Sequence, residues 1–169
     1  MGVVLIGHGA PAVDCPKEYV GELMRLEWRK NSGDPTVKAK MEELDAAIRN
    51  WPRDAENDPY KIGLERVAEA VRPLLPTDLF EIGYNEFCRP SIPEAIEKLV
   101  LQGAGHILAI PSMLTPGGLH SEIDVPRELE KMRAAHPEVS IDYVWPFDLK
   151  LVGQLLAAHI EQSVQHKMV

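Results

Sequence analysis

Four short apolar segments alternate along this chain with segments that have the apolar periodicity of helices. The strand-like segments lie at residues 3–6, 79–84, 107–111 and 141–145. The first, Val3-Val4-Leu5-Ile6, is apolar at every position, which is typical of a strand covered on both faces. Strands that alternate with helices form a parallel sheet with crossover helices. We therefore predict a three-layer α/β/α fold around a four-stranded parallel sheet, similar to one half of a Rossmann fold.

The helical segments are read from apolar spacing and from signals at their ends. Stripes of apolar residues predict helices over residues 37–48, 62–75, 125–135 and 149–164. A further helix begins in the segment Pro90-Ser91-Ile92-Pro93, where Ser91 and Glu94 form a capping-box pattern, and it stops at Gly103. Each crossover between predicted strands therefore contains helix.

The length of 169 residues fits a single domain over 1–169 with a sizeable core. The stretch from about 28 to 60 is more polar than the rest and contains the turn signals Asn31-Ser32-Gly33-Asp34-Pro35 and Asn57-Asp58-Pro59. We interpret this stretch as a helical insertion, with a hairpin or lid around Val37 to Asn50.

Composition and charge exclude several classes of protein. The formal net charge of −8 argues against a nucleic-acid partner, which would favour a basic face. Apolar runs stay well short of the roughly 20 residues that span a bilayer, so no membrane partner is expected, and a cytoplasmic location is predicted. The two cysteines, Cys15 and Cys88, are too far apart to form a zinc knuckle or a CxxC redox pair.

Two histidines follow strand-like segments at opposite ends of the sequence. His8 lies in Gly7-His8-Gly9 directly after the first strand, and His120 follows a proline- and glycine-rich loop after the third. The carboxyl ends of parallel strands meet at one edge of a sheet, where ligands bind. A neutral imidazole binds a divalent metal ion or accepts a proton near pH 7. A site that contains both histidines is therefore predicted, although a hydrogen-bonded turn residue is the alternative for His8.

Three acidic residues accompany these histidines. The spacing of His120, Glu122 and Asp124 places His120 and Asp124 on one helical face, where a carboxylate raises imidazole basicity and fixes its tautomer. The alternative is that Glu122 and Asp124 simply favour the start of a helix. Glu86 follows the second strand, and its apolar neighbours Tyr84 and Phe87 should raise the pKa of its carboxyl group. A solvated loop acid is the alternative for Glu86.

At these residues the sequence resembles the class II tetrapyrrole chelatases, the CbiX and SirB type of sirohydrochlorin cobaltochelatase or ferrochelatase. The resemblance covers the segments 5–9, 84–95, 103–111 and 118–126. Glu-x-x-x-Pro-Ser-Ile followed by His-x-x-x-Asp-Val-Pro, in this order and spacing, is its most specific part. Gly-His-Gly alone is common at strand ends.

The resemblance implies insertion of a divalent metal ion, Co²⁺, Ni²⁺ or Fe²⁺, into a cyclic tetrapyrrole such as sirohydrochlorin, with no organic cofactor. It implies that His8 and His120 bind the metal and, with Glu86, accept the two pyrrole protons. It also implies a homodimer. The residues expected to bind the macrocycle are Gly7, Gly9, Ala10, Arg89, Ser112, Met113, Leu114 and Gly118. Glu122 and Asp124 are expected to support the histidines.

Three features depart from the family pattern. Ala10 stands where a serine is common, residues 28–60 form a longer insertion than short family members carry, and Asn85 is polar where the family is usually apolar, with no obvious partner in the sequence. Because of Ala10 and the insertion, a non-catalytic tetrapyrrole or metal carrier is kept as an alternative function. An α/β-hydrolase is disfavoured, because the sequence has no Gly-x-Ser-x-Gly segment and neither cysteine is placed as a nucleophile.

Overall fold

The computed structural model describes residues 1–29 and 33–167 of the chain. Its sheet contains four parallel strands in the order β2-β1-β3-β4, so the predicted sheet is confirmed. The strands are β1 Gly2–Gly7, β2 Phe80–Tyr84, β3 His106–Pro111 and β4 Ser140–Tyr143. β4 ends two residues before the predicted limit, because the backbone turns where the Trp145 N–H donates to the Tyr143 carbonyl at 3.0 Å.

Within residues 1–29 and 33–167, six α-helices connect and flank the strands. They are α1 Lys17–Glu27, α2 Pro35–Arg49, α3 Pro59–Val71, α4 Ile92–Leu101, α5 Val125–Ala135 and α6 Leu149–Lys167. A π-helical turn, His120–Asp124, leads directly into α5. The capping box predicted for α4 is present: the Ser91 hydroxyl accepts from the Glu94 N–H, and the Glu94 carboxylate accepts from the Ser91 N–H.

Helices cover both faces of the sheet, which gives the predicted three layers. On one face, Val4 and Ile6 of β1 pack with buried residues of α4 and α5, including Ile96 and Leu129. On the other face, Val3 and Leu5 pack with α3. Alternate β1 side chains therefore enter two separate cores, which explains why this strand is apolar throughout.

The helices α1 and α2 form a pair beside the two main cores. α1 was not predicted, because Leu23 is its only buried residue and leaves little apolar periodicity. The hairpin predicted around residues 37–50 is wrong, since this range is a single helix that packs against α1. The Lys30–Ser32 part of the predicted insertion lies outside the described residues. Phe87, from the loop after β2, is buried in the same cluster as α2 residues Leu44 and Ile48.

The terminal helix α6 is exposed along almost its whole length. Its large apolar side chains remain 52–64% exposed; they are Leu149, Leu151, Leu155, Leu156, Ile160 and Val164. An amphipathic helix of a globular protein normally buries such side chains against a core. Within the described part of the chain, no helix has both the length and the apolarity to cross a membrane.

Candidate active site

Three side chains from three strand ends meet at one edge of the sheet. His8 follows β1 directly, Glu86 lies just beyond β2, and His120 begins the π-helical turn after β3. One ligand atom from each residue lies within 4.8 Å of the other two. Among the described residues, this is the only group of three or more histidine, cysteine or acidic side chains with such spacing. The arrangement has the donor chemistry of a site for a divalent transition metal.

Main-chain hydrogen bonds join the loop that carries His8 to the loop that carries Glu86. The Asn85 N–H donates to the Gly7 carbonyl at 2.9 Å, and the Glu86 N–H donates to the His8 carbonyl at 2.8 Å. These bonds continue the pairing of β1 with β2 beyond the strand ends. The His8 N–H donates to the Tyr60 hydroxyl of α3 at 2.8 Å. The positions of His8 and Glu86 are therefore fixed relative to each other by the backbone.

The imidazole of His8 has its Nδ1 atom 2.6 Å from the carbonyl oxygen of Gly9. Because a carbonyl oxygen only accepts hydrogen bonds, this contact places the ring proton on Nδ1. The lone pair is then on Nε2, which lies 3.9 Å from a carboxylate oxygen of Glu86. Nε2 of His8 is thus the atom available to a metal ion or a proton.

The imidazole of His120 has two polar neighbours at its Nδ1 atom. The Asp124 carboxylate lies 2.8 Å from Nδ1, as the i, i+4 spacing indicated, and its other oxygen accepts from Arg127 at 2.6 Å. A proton on Nδ1 is therefore donated to Asp124, which leaves Nε2 of His120 free to bind. The side-chain nitrogen of Asn85 lies 3.2 Å from the same Nδ1 and contacts it without a hydrogen bond, because both nitrogen atoms then carry protons. Asn85, for which the sequence suggested no partner, thus contacts His120, which is distant along the chain.

The Glu86 carboxylate lies within 4 Å of both imidazoles. One of its oxygens is 3.8 Å from His120 Nδ1, and the other is 3.9 Å from His8 Nε2. The two rings are edge to face, with centroids 4.5 Å apart. Burial raises the pKa of the Glu86 carboxyl group, and the two histidines partly oppose this shift. The predicted direction of the shift is correct, and its neighbours Tyr84 and Phe87 are both buried.

The turn that carries His120 is anchored from β4 and from its own loop. The Tyr143 hydroxyl donates to the Ser121 carbonyl at 2.8 Å, and Ser121 is buried. The Glu122 carboxylate accepts from the Gly117 N–H at 2.6 Å. Glu122 therefore closes the loop before His120, whereas Asp124 is the acid that contacts the imidazole.

The residues expected to bind the macrocycle lie at the carboxyl ends of β1, β2 and β3, and those at the ends of β1 and β3 make structural contacts. A side chain on Gly7 would collide with Leu64 of α3. The Ala10 carbonyl accepts from Arg53 and from the Cys88 thiol. After β3, the Ser112 N–H donates to the Ile6 carbonyl, Met113 packs against the core, Leu114 is half-buried, and the Gly118 carbonyl accepts from Glu122. Their roles toward a ligand stay predictions.

A cavity of about 790 Å³ opens beside Glu86 and His120, between α1, α2, the start of α4 and the π-helical turn, and His8 is not part of its lining. Glu86, His120 and Asp124 line it, as does Arg89; the other predicted macrocycle-binding residues do not. Seven carboxylate side chains and three arginines line the cavity. Each arginine pairs with an acid in the cavity wall, Arg49 with Asp45, Arg89 with Glu94 and Arg127 with Asp124.

Three charged residues support this site in roles that the sequence analysis did not predict. Arg49 and Arg53 donate to main-chain carbonyls of the site loops, and the buried Asp58 pairs with Arg53. Asp58 preceding Pro59 was recognisable as a turn or helix start, and its carboxylate indeed accepts from the Lys61 N–H. The roles of Arg49 and Arg53 could not be predicted from the sequence. Their partners are main-chain carbonyl groups, which every residue carries and which therefore leave no pattern of residue types.

Comparison with known proteins shows the family of this chain. The CbiX family model matches residues 55–165, which is more than half of the chain. This chain belongs to the CbiX family. A sirohydrochlorin cobaltochelatase of Sulfurisphaera tokodaii is 41% identical over 89 residues, which cover 52% of this chain and 70% of that protein. A sirohydrochlorin cobaltochelatase of Methanocaldococcus jannaschii is 38% identical over 79 residues, 46% of this chain and 54% of that protein.

The fold of this CbiX-family chain is also found among solved structures. The crystal structure of a CbiX protein of cobalamin biosynthesis from Marinobacter aquaeolei VT8 superposes with a TM-score of 0.59 at 17% identity, over 98% of both chains. The matched segment spans about half the length, or less, of several curated cobaltochelatases. The family and the three-layer fold are therefore shown.

Proposed function

We propose that this chain inserts a divalent metal ion into a cyclic tetrapyrrole, with sirohydrochlorin as the macrocycle. The observation that carries the proposal is the group formed by His8, Glu86 and His120, whose ligand atoms lie within 4.8 Å of one another in a CbiX-family chain. Imidazole and carboxylate together suit Co²⁺, Ni²⁺ and Fe²⁺, and the names of the aligned relatives favour Co²⁺. The metal ion is a substrate of this reaction, and no organic cofactor is needed.

The proposed reaction requires groups that release a metal ion and accept protons. When the ion enters the macrocycle, two pyrrole N–H protons leave, so charge balances without an oxidant or reductant. His8 and His120 hold the incoming ion through neutral imidazole nitrogen atoms, which bind transition metals reversibly. Glu86 accepts a pyrrole proton, because its raised pKa makes the ionised carboxylate a stronger base than an exposed glutamate. Asp124 holds the Nδ1 proton of His120 and keeps its Nε2 lone pair in place.

The cavity beside Glu86 and His120 is the proposed position of the macrocycle. Apolar side chains in its wall, including Met41, Leu119 and Ile123, suit the flat face of a tetrapyrrole. Arg89 and Arg127 are about half exposed, so the carboxylates of sirohydrochlorin can compete for them with Glu94 and Asp124. Carboxylates outnumber arginines in the cavity wall, so the wall attracts the metal cation and disfavours tight binding of a polyanion.

The decisive experiment measures metal insertion anaerobically from the absorbance spectra of sirohydrochlorin with Co²⁺, Ni²⁺ or Fe²⁺. We expect a rate well above the uncatalysed control, with loss of most of the acceleration in His8→Ala and His120→Ala. Glu86→Gln should slow insertion by about 10²-fold or more, the contribution of a positioned general base. His106→Ala, at the first residue of β3 and so at the opposite edge of the sheet from the site, is the matched control and should insert metal at the native rate.

Two other results would reject the proposal. Binding of metal and macrocycle without acceleration would identify a carrier instead of a chelatase. Acceleration that persists in both His8→Ala and His120→Ala would show that the metal is handled elsewhere in the chain.

The functional form that we propose is a homodimer. The exposed apolar side chains of α6 support this form, because pairing with a second copy would remove them from water. Light scattering should give twice the mass of one chain, and the double substitution Leu156→Glu with Ile160→Glu should give a monomer. Val67→Glu, at a half-exposed apolar position on α3, is the control. A native monomer would contradict the proposal.

We also propose a cytoplasmic location. Cys15 and Cys88 are both buried and unbridged, which suits a reducing compartment. Fractionation of the source cells, followed by detection of the chain, tests this location; recovery outside the cytoplasm would overturn it.

A further inference from the structure

The loop of residues 85–88, here called the Glu86 loop, is fastened by an arginine of α2. The Arg49 guanidinium donates to the Asn85 carbonyl at 2.8 Å and to the Cys88 carbonyl at 2.8 Å. Its Nε donates to Asp45 at 2.8 Å. The side chain of Arg49 is only 14% exposed. One guanidinium therefore bridges the two ends of the loop that carries Glu86.

A second arginine ties the Glu86 loop to the loop that carries His8. Arg53 donates to the Phe87 carbonyl at 2.6 Å and to the Ala10 carbonyl at 2.9 Å. Its side chain is 8% exposed and pairs with the buried carboxylate of Asp58. Arg53 thus contacts the residue next to Glu86 and a residue two positions from His8.

The backbone of the Glu86 loop needs such restraint. Phe87 has a φ of +59°, in the left-handed region that bulky residues rarely adopt. Such a conformation persists only when surrounding contacts enforce it, and it is frequent at functional sites. A guanidinium presents five donors in a fixed planar fork, so a single arginine can hold two carbonyl oxygens at a set separation.

We propose that Arg49 and Arg53 are positioning residues that hold Glu86 in its place beside the two histidines. This inference rests on the proposed metal site. It gives α2 a functional role, because Arg49 is the last residue of α2 and Arg53 follows it closely in the chain. The arginines act through main-chain carbonyls, and their hydrogen bonds bracket Glu86 at residues 85, 87 and 88. Outer groups that orient metal-binding side chains typically change metal affinity by about 10- to 100-fold.

The test measures the dissociation constant of Co²⁺ alone and the intensity of its visible ligand-field absorption, which reports coordination geometry. Arg49→Met should weaken Co²⁺ binding by about 10-fold or more and change the absorption band. Arg49→Lys should not restore either property, because an ammonium group keeps the charge but cannot bridge two carbonyls at fixed separation. Asp45→Asn removes the ion pair yet leaves both carbonyl bonds, so its Co²⁺ affinity should remain within about twofold of native.

Stability is measured in parallel by urea denaturation. Arg49 is chosen for the main test because Arg53→Met leaves Asp58 buried without its charge partner and threatens folding. Arg66→Met, on the exposed surface of α3, controls for loss of an arginine as such. The comparison is made only between variants that give the native cooperative transition.

The outcomes separate this inference from the proposed function. If Arg49→Met binds Co²⁺ as native protein does, or if Arg49→Lys restores both affinity and spectrum, the positioning role is wrong, even when His8→Ala abolishes binding. If His8→Ala and His120→Ala bind Co²⁺ normally, the metal site itself is wrong, whatever the arginine variants do. Weak binding in Arg49→Met and Arg49→Lys, with normal binding in Asp45→Asn, supports the positioning role.

Discussion

The carbonyl oxygen of Glu86 lies against the α-carbon of Gly9, so close that a Cβ atom added to Gly9 would stand 1.9 Å from it. Gly9 also has a φ of +91°. Two conditions therefore select glycine here, the left-handed backbone and the approach of the Glu86 loop. This contact is what allows the loop after β1 and the loop after β2 to bring His8 and Glu86 together.

Gly9→Ala should destabilise the protein and disturb the proposed metal site at the same time. The clash is with a main-chain atom and cannot be relieved by a side-chain rotation, so the cost should reach about 1–3 kcal/mol beyond the backbone strain. Gly103→Ala is the matched control, since Gly103 has a φ of +89° but no described atom within 4 Å of an added Cβ. Urea denaturation and Co²⁺ titration of both variants provide the measurement. Equal stability losses would show that the contact with Glu86 is not the reason for glycine.

Glu86→Gln should stabilise the folded protein at neutral pH. Burial raises the pKa of Glu86 above its ordinary 4.5, so the folded protein retains this proton over a range in which the unfolded chain has lost it. The free energy of unfolding therefore falls as pH rises through this range, and the full cost remains above the folded pKa. Glutamine carries no charge and avoids that cost.

The check compares urea denaturation of native and Glu86→Gln protein at about pH 7.5 and about pH 4.5. The stability gain should be larger at the higher pH and shrink at the lower. A destabilised variant at neutral pH would mean that the attraction of the histidines outweighs burial. Glu69→Gln, at an exposed position of α3, serves as the control.

Asp58→Asn should be among the more damaging conservative substitutions in the chain. The Asp58 side chain is 1% exposed and pairs with the buried Arg53, so removal of its charge leaves a buried cation uncompensated. A loss of about 3–5 kcal/mol is expected. Asp34→Asn is the comparison, because Asp34 also caps a helix by accepting from the Thr36 N–H but stands on the surface. Similar losses in chemical denaturation would refute the importance of the buried pair.

Tyr143→Phe should loosen the turn that carries His120. The hydroxyl of Tyr143 donates to the Ser121 carbonyl, and burial raises its pKa to about 12, so it stays protonated at neutral pH. Loss of this hydrogen bond should cost about 1 kcal/mol and leave a buried carbonyl without its donor. Thermal denaturation measures the loss, with Tyr19→Phe on α1 as the control. If Tyr143→Phe and Tyr19→Phe lose the same stability, the turn is stabilised by its other contacts and not by the Tyr143 hydroxyl.

Local patterns in the sequence were sufficient for the architecture of the sheet. The continuous apolar run of β1 and the Ser91–Glu94 capping box depend on neighbouring residues only, and both are present in the structure. Helix α1 was not predicted, because it buries a single residue and shows little apolar periodicity. Helix α6 was predicted correctly as a helix, although its large apolar side chains are exposed. Periodicity indicates a helix without specifying what covers its apolar side.

The sequence by itself determined which residue types reach the edge of the sheet. The rule that parallel strand ends converge was enough to associate His8, Glu86 and His120. Only the tertiary structure decided how these side chains are held, through the contact of Asn85 with His120 and the fastening of the Glu86 loop by Arg49 and Arg53. The physical reason is that these contacts join segments that are distant along the chain and involve carbonyl or amide groups. The partners of such groups depend on three-dimensional proximity, so they leave no pattern in the sequence.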